Sequence, residues 1–183
     1  MTYIGNEPFL VGGKGIDLTM NDFWRWSYSD LNNNALLSML AKFIVASSLE
    51  ITSNGTTCCL ISKDGYKIEV KSAAYIQTLD AECPDHVSFS IAPIKQSGRM
   101  ADEELDFIQQ SSDVSIFCIY KAQTSDETPL DLDLWDFYVL QTKTLRNKKP
   151  ALKTITLPSL MQMEPVWCDY YGIGDAIQKV MTV

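Results

Sequence analysis

The sequence predicts an α/β fold in which helices flank a mixed central sheet of about five strands. Three observations carry that expectation. Residues 66–72 (YKIEVKS) alternate polar and apolar after an Asp64-Gly65 turn signal, the period of a half-buried strand. Leu36, Leu37, Leu40, Phe43, Ile44 and Ser47 keep the three-and-four spacing of an amphipathic helix. Residues 113–120 (DVSIFCIY) form a nearly unbroken apolar run, as expected of a strand buried on both faces.

In chain order, residues 1–20 carry Gly5, Gly12, Gly13 and Gly15 and read as a loop or loosely attached arm. Residues 21–183 read as a single α/β domain, a length that supports one well-buried core. Thr19 to Asp22 supply helix-start residues. The aromatic group Phe23, Trp24, Trp26 and Tyr28 follows; such rings can stack on bases, but core packing against the sheet is the expectation. The main helix is predicted over 32–49. After the hairpin around Asp64-Gly65, residues 87–92 (VSFSIA) alternate as a third strand, and 96–106 form a polar loop, with a short helix over 101–110. Residues 113–120 and 135–142 make two more strands. Residues 154–157 form a short edge strand, and 173–181 a closing helix.

Hairpin register decides which side chains meet. A three-residue turn of Lys63, Asp64 and Gly65 pairs Ser62 with Tyr66 and sets Cys59 opposite Glu69. It also gathers Cys58, Leu60, Ile68 and Val70 on one apolar face. A two-residue turn would set Leu60 beside Glu69, and a one-residue slip inverts every side chain. The first register is therefore expected.

Glu69-Val70-Lys71 on the strand that leaves this turn, within DGYKIEVKSAAYIQ, resembles the PD-(D/E)XK nuclease superfamily. The segments FWRWSYSDL, SDVSIFCIY and LDLDLWDFYVL extend that resemblance to small bacterial proteins of this type, over about residues 20–160. The resemblance implies a restriction-endonuclease-like sheet and Mg²⁺-dependent hydrolysis of a DNA phosphodiester. Residues 21–183 would then be one nuclease-like domain. Glu69 would be a metal ligand and catalytic residue, Lys71 would position the attacking water, and Tyr75 and Gln77 would stand near the substrate. Such cleavage needs a divalent cation to neutralise developing charge, and Mg²⁺ requires hard oxygen ligands.

The same resemblance marks two departures. Cys59 stands where relatives carry the metal-binding Asp, and a thiol is a poor ligand for a hard cation. Lys42 occupies the helix position that relatives give to an acidic residue, with Glu50 at that helix's end. Asp64 is no substitute, being at the turn about 15 Å along the strand from Glu69. Two functional readings follow: a Mg²⁺-dependent nuclease, and a pseudo-nuclease that has lost the chemistry and serves as a binding or structural subunit for a protein partner or homo-oligomer. In an unrelated α/β domain, Glu69 and Lys71 would merely pair on the surface.

Composition constrains both. The net charge is −8, which disfavours tight binding of a phosphate backbone, although Arg146, Lys148, Lys149 and Lys153 form one basic cluster. Five cysteines and one histidine, His86, fit neither a disulfide framework nor a structural zinc site. Buried reduced thiols and a cytoplasmic address are expected. No apolar run reaches membrane-spanning length. The acidic stretch with Asp126, Glu127, Asp131 and Asp133 lacks the glycine and terminal Glu of a calcium loop and reads as solvated surface.

Overall fold

Alternation and apolar runs become a five-stranded mixed sheet in the computed structural model, which describes residues 2–31, 33–52, 59–75, 87–91, 112–124, 126–148 and 153–182. The chain divides into two units, Met1–Leu37 and Ser38–Val183.

The first unit begins with a hairpin of β1 (Pro8–Val11) and β2 (Lys14–Thr19), where glycine content had suggested a loop. Gly12 and Gly13 both take positive φ, 58° and 77°, which is the backbone a tight two-residue hairpin turn requires. Helix α1 (Met20–Tyr28) starts at Thr19, whose backbone N–H donates to Asp22 Oδ2 at 2.8 Å. Within this unit the aromatic group forms no buried core. No residue of α1 is buried, and Trp26 is 84% exposed. Helix α2 (Asn34–Ser48) begins in this unit and continues into the second.

In the second unit the sheet order is β3 (Leu60–Ile61), β4 (Lys67–Ala74), β6 (Val114–Tyr120), β7 (Trp135–Gln141) and β9 (Val166–Cys168). β4 and β6 are parallel, and every other neighbouring pair is antiparallel. β5 (Ser88–Ser90) does not join this sheet. It pairs with β8 (Thr154–Thr156), the expected edge strand, in a separate ribbon, and β9 takes the edge of the main sheet. All seven residues of β6 are buried, as its unbroken apolar run requires.

One sheet face carries Ile68, Val70, Ser72 and Ala74, with helices against it. Ser72 Oγ donates to Ser38 Oγ of α2 at 2.8 Å, and Gln141 Nε2 donates to the Val180 carbonyl of α5 (Ile173–Met181) at 2.5 Å. The buried stripe of α2 is Leu37, Ala41, Ile44 and Val45. It is rotated from the expected face, leaving Phe43 68% exposed. Small Ala41 is buried in place of the bulky ring. The other face carries Glu69, Lys71 and Ala73. Its apolar part packs with Phe117 and Ile119 beneath Phe89 and Ile155 of the ribbon, and the Phe89 and Phe117 rings meet edge-on at 5.0 Å. Leu145 of α3 (Thr142–Lys148) and Leu160 of α4 (Leu157–Met161) join this cluster.

No helix among the described residues is long and apolar enough to cross a membrane.

Candidate functional site

The site begins with the turn that sets its register. Ser62 N–H donates to the Tyr66 carbonyl at 3.0 Å, and Gly65 N–H to the Ser62 carbonyl at 3.0 Å. Gly65 takes φ 85°, the left-handed residue that closes a three-residue loop. The pairs Leu60↔Ile68 and Ile61↔Lys67 follow. Continued by one residue, this register sets Cys59 across from Glu69, as the alternation required. Cross-strand partners of this kind hold their Cβ atoms about 5 Å apart.

Glu69 and Lys71, two residues apart on β4, project from the same sheet face. Lys71 Nζ donates to Glu69 Oε1 at 2.8 Å, and the two side chains are only 8% and 11% exposed. An alternating strand suggests one solvated face, yet the face of β4 that carries Glu69 and Ala73 is buried. The surface-pair alternative therefore does not hold: Glu69 is 8% exposed as a residue and Cys59 is 5% exposed. The charges offset each other in a medium where either alone would carry a large desolvation cost.

Next to the pair stands a hydroxyl group that sequence reasoning missed. Ser115 is the β6 partner of Glu69 and is fully buried. Its Oγ lies 2.9 Å from Thr142 Oγ1, which also accepts from Ser112 Oγ at 3.2 Å. The available signal was a lone serine inside the apolar run VSIFCIY, since a buried hydroxyl needs a partner.

Other candidates lie elsewhere. Tyr75 is half-buried against the Phe117 cluster, and its N–H donates to the Tyr120 carbonyl at 3.1 Å. Asp64 sits in the turn and accepts from Gln178 Nε2 at 2.6 Å. Glu50 pairs with Lys63 at the outside of the same turn, which holds its carboxyl below the usual range. Gln77, Cys58, Cys83, His86, Lys149 and the expected loop and helix over 96–110 lie outside the described residues.

As a metal site the pair is incomplete. Its donors are one carboxylate already bonded to an ammonium and one thiol, too few hard oxygens for Mg²⁺. Among the described residues, no three of His, Cys, Asp and Glu gather to hold a metal ion. Cys118 and Cys168 are buried thiols. Burial pushes the Cys168 thiol up to about 11 and Cys118 higher still, so neither is a thiolate nucleophile near neutrality.

No protein-family model matches the chain, and no curated protein matches it in sequence at a significant level.

Proposed function

We propose that this chain is a PD-(D/E)XK nuclease-like protein whose hydrolytic chemistry has lapsed, leaving a pseudo-nuclease scaffold that works as a binding or structural subunit. The observation that carries the reading is the opposition of Cys59 to Glu69, with Glu69 already bonded to Lys71. The pair keeps the same-face arrangement that the chemistry uses, while a thiol stands where a second hard oxygen ligand would be needed. The net charge of −8 also favours a protein partner over a phosphate backbone. Buried reduced thiols at Cys118 and Cys168 suit a cytoplasmic setting.

The second reading is an active Mg²⁺-dependent endonuclease acting on DNA. It is favoured by the placement of Lys71 and Glu69 together on one buried face, where the ammonium, once a metal ion engages the carboxylate, would act on a developing negative charge with little solvent screening. In that reading Glu69, Lys71 and Gln77 serve catalysis, and a further ligand completes the site.

Cys59→Asp separates the two. Without metal the variant should melt lower than the parent, because adjacent carboxylates disfavour each other's charge. Mn²⁺ should then restore stability by about 2.7 kcal/mol at a hundredfold excess over its dissociation constant, while the parent stays insensitive and cleaves no DNA. Metal-dependent cleavage by the parent, abolished in Lys71→Met, would overturn the pseudo-nuclease reading. A variant that gains no Mn²⁺-dependent stability would remove Cys59 from the metal position.

A further inference from the structure

At the opposite end of the sheet from Glu69, a cavity of about 290 Å³ opens between the segment before β7 and the segment after β9. Trp167 and Tyr171 line it and stand 58% and 89% exposed. Its carboxylates are Asp131, Asp133, Asp136 and Asp169, against a single Lys121. Four negative charges minus one positive leave an excess of three. Asp136 accepts from Lys121 Nζ at 3.0 Å, Asp131 accepts from the Asp133 N–H at 3.0 Å, and Asp169 from the Gly172 N–H at 2.9 Å. No described donor engages the Asp133 carboxylate.

A second hollow of about 160 Å³ adjoins the first, sharing Leu132 and Tyr170 with it. Its walls include Leu40, Phe43 and Leu130, and Phe43 and Leu130 are 68% and 67% exposed. Phe43 and Leu130 thus set two exposed apolar side chains on the wall of one hollow, next to the acidic cavity.

We infer that this two-part cleft docks a basic protein segment, seating a lysine or arginine side chain among Trp167, Asp133 and Asp169 and a neighbouring apolar side chain on Phe43 and Leu130. Charge complementarity selects the occupant. The excess of carboxylates repels phosphate, so nucleic acid and anionic lipid are disfavoured. A cation over an indole face gains from the ring quadrupole as well as from the carboxylates. A small cation alone would leave the apolar hollow uncovered, whereas a peptide carrying both side chains fills both parts. The inference is independent of the Glu69 site and stands whether or not that site is catalytic.

The test uses the full chain and three end-blocked, fluorescently labelled hexapeptides, in which leucine alternates with arginine, glutamate or serine. Fluorescence polarisation should show binding of the arginine peptide, at least about tenfold tighter than the other two and weakened by salt. Trp167→Ala should weaken it about tenfold, and Trp167→Phe should restore part of that loss. Asp133→Asn should reduce affinity several-fold and flatten the salt dependence. Unchanged thermal melting would confirm that the variants fold. Equal binding of the arginine and glutamate peptides, or parent-like affinity of Trp167→Ala, would overturn the inference. Sedimentation that shows the parent self-associating through this cleft, with the association lost in Trp167→Ala, would assign the surface to a second copy and overturn it too.

Discussion

Two ion pairs stand on the same face of one sheet and live in different media. Lys71–Glu69 closes at 2.8 Å with side chains 8% and 11% exposed. Lys121–Asp136 closes at 3.0 Å with 33% and 17%. The inner pair lies beside the buried hydroxyls of Ser115 and Thr142, and the outer one edges an open cavity with aromatic walls. The difference teaches that residue type does not decide what a charge pair can do. Deep in the sheet neither partner can leave the other without exposing a bare charge to low dielectric. At the rim, solvent screens the pair, and Asp136 can share its carboxylate with an incoming cation at little cost.

The sharpest way to break the comparison is to remove one inner partner. Lys71→Met should cost about 3–5 kcal/mol, because it strands the Glu69 carboxylate. The double variant Glu69→Leu/Lys71→Met should recover most of that loss, since paired apolar replacements leave no buried charge. Urea unfolding of both single variants and the double variant would give the coupling. A single-variant loss below about 1 kcal/mol would mean that the inner pair is as solvated as the outer one.

The corresponding change at the rim is smaller. Asp136→Asn should cost about 0.5–1 kcal/mol, and the loss should shrink in high salt. Loss of this size at the rim and several-fold more inside is the pattern that burial predicts. Similar losses at both places would leave the two environments indistinguishable.

What could be read from the sequence follows the same division. Local sequence placed β4, β6, β7 and α5 where the structure has them to within a residue or so, β4 through its alternation and β6 through its unbroken apolar run. The hairpin register was legible because turn chemistry and alternation agreed on Cys59 opposite Glu69. Long-range pairing was not. Nothing in VSFSIA says that β5 leaves the main sheet for β8, or that three residues at 166–168 close its edge. Burial of the Glu69 face was equally hidden, since alternation looks the same under solvent and under a second layer. On α2, Ala41 displaced Phe43 from the core because spacing alone permits several stripes. The rim cavity combines Asp133, Trp167 and Tyr171 from separate segments, so no local motif could reveal it.

The smallest effect tests how the loop beside the outer pair is held. Gln123 N–H donates to Glu127 Oε2 at 2.6 Å, and Thr124 N–H donates to the same oxygen at 3.0 Å. These backbone donors hold the Glu127 carboxyl below its ordinary range, Gln123 contributing most. Tyr120, at the end of β6, donates its hydroxyl to the Glu127 carbonyl at 2.8 Å, so the loop is fastened at two points. A carboxyl depressed in the folded state contributes stability above its unfolded value of about 4.3. That contribution is lost as pH falls through the lower folded value. Glu127→Gln keeps an acceptor oxygen but loses the charge that strengthens both bonds. The variant should therefore melt slightly below the parent at pH 7, by less than the Asp136→Asn variant does, and the gap should close on acidification to about pH 3. Thermal melts of both proteins at the two pH values provide the check. A gap that persists in acid would trace the loss to packing of the loop, and a gap of opposite sign would show that the carboxylate is not held by those amides.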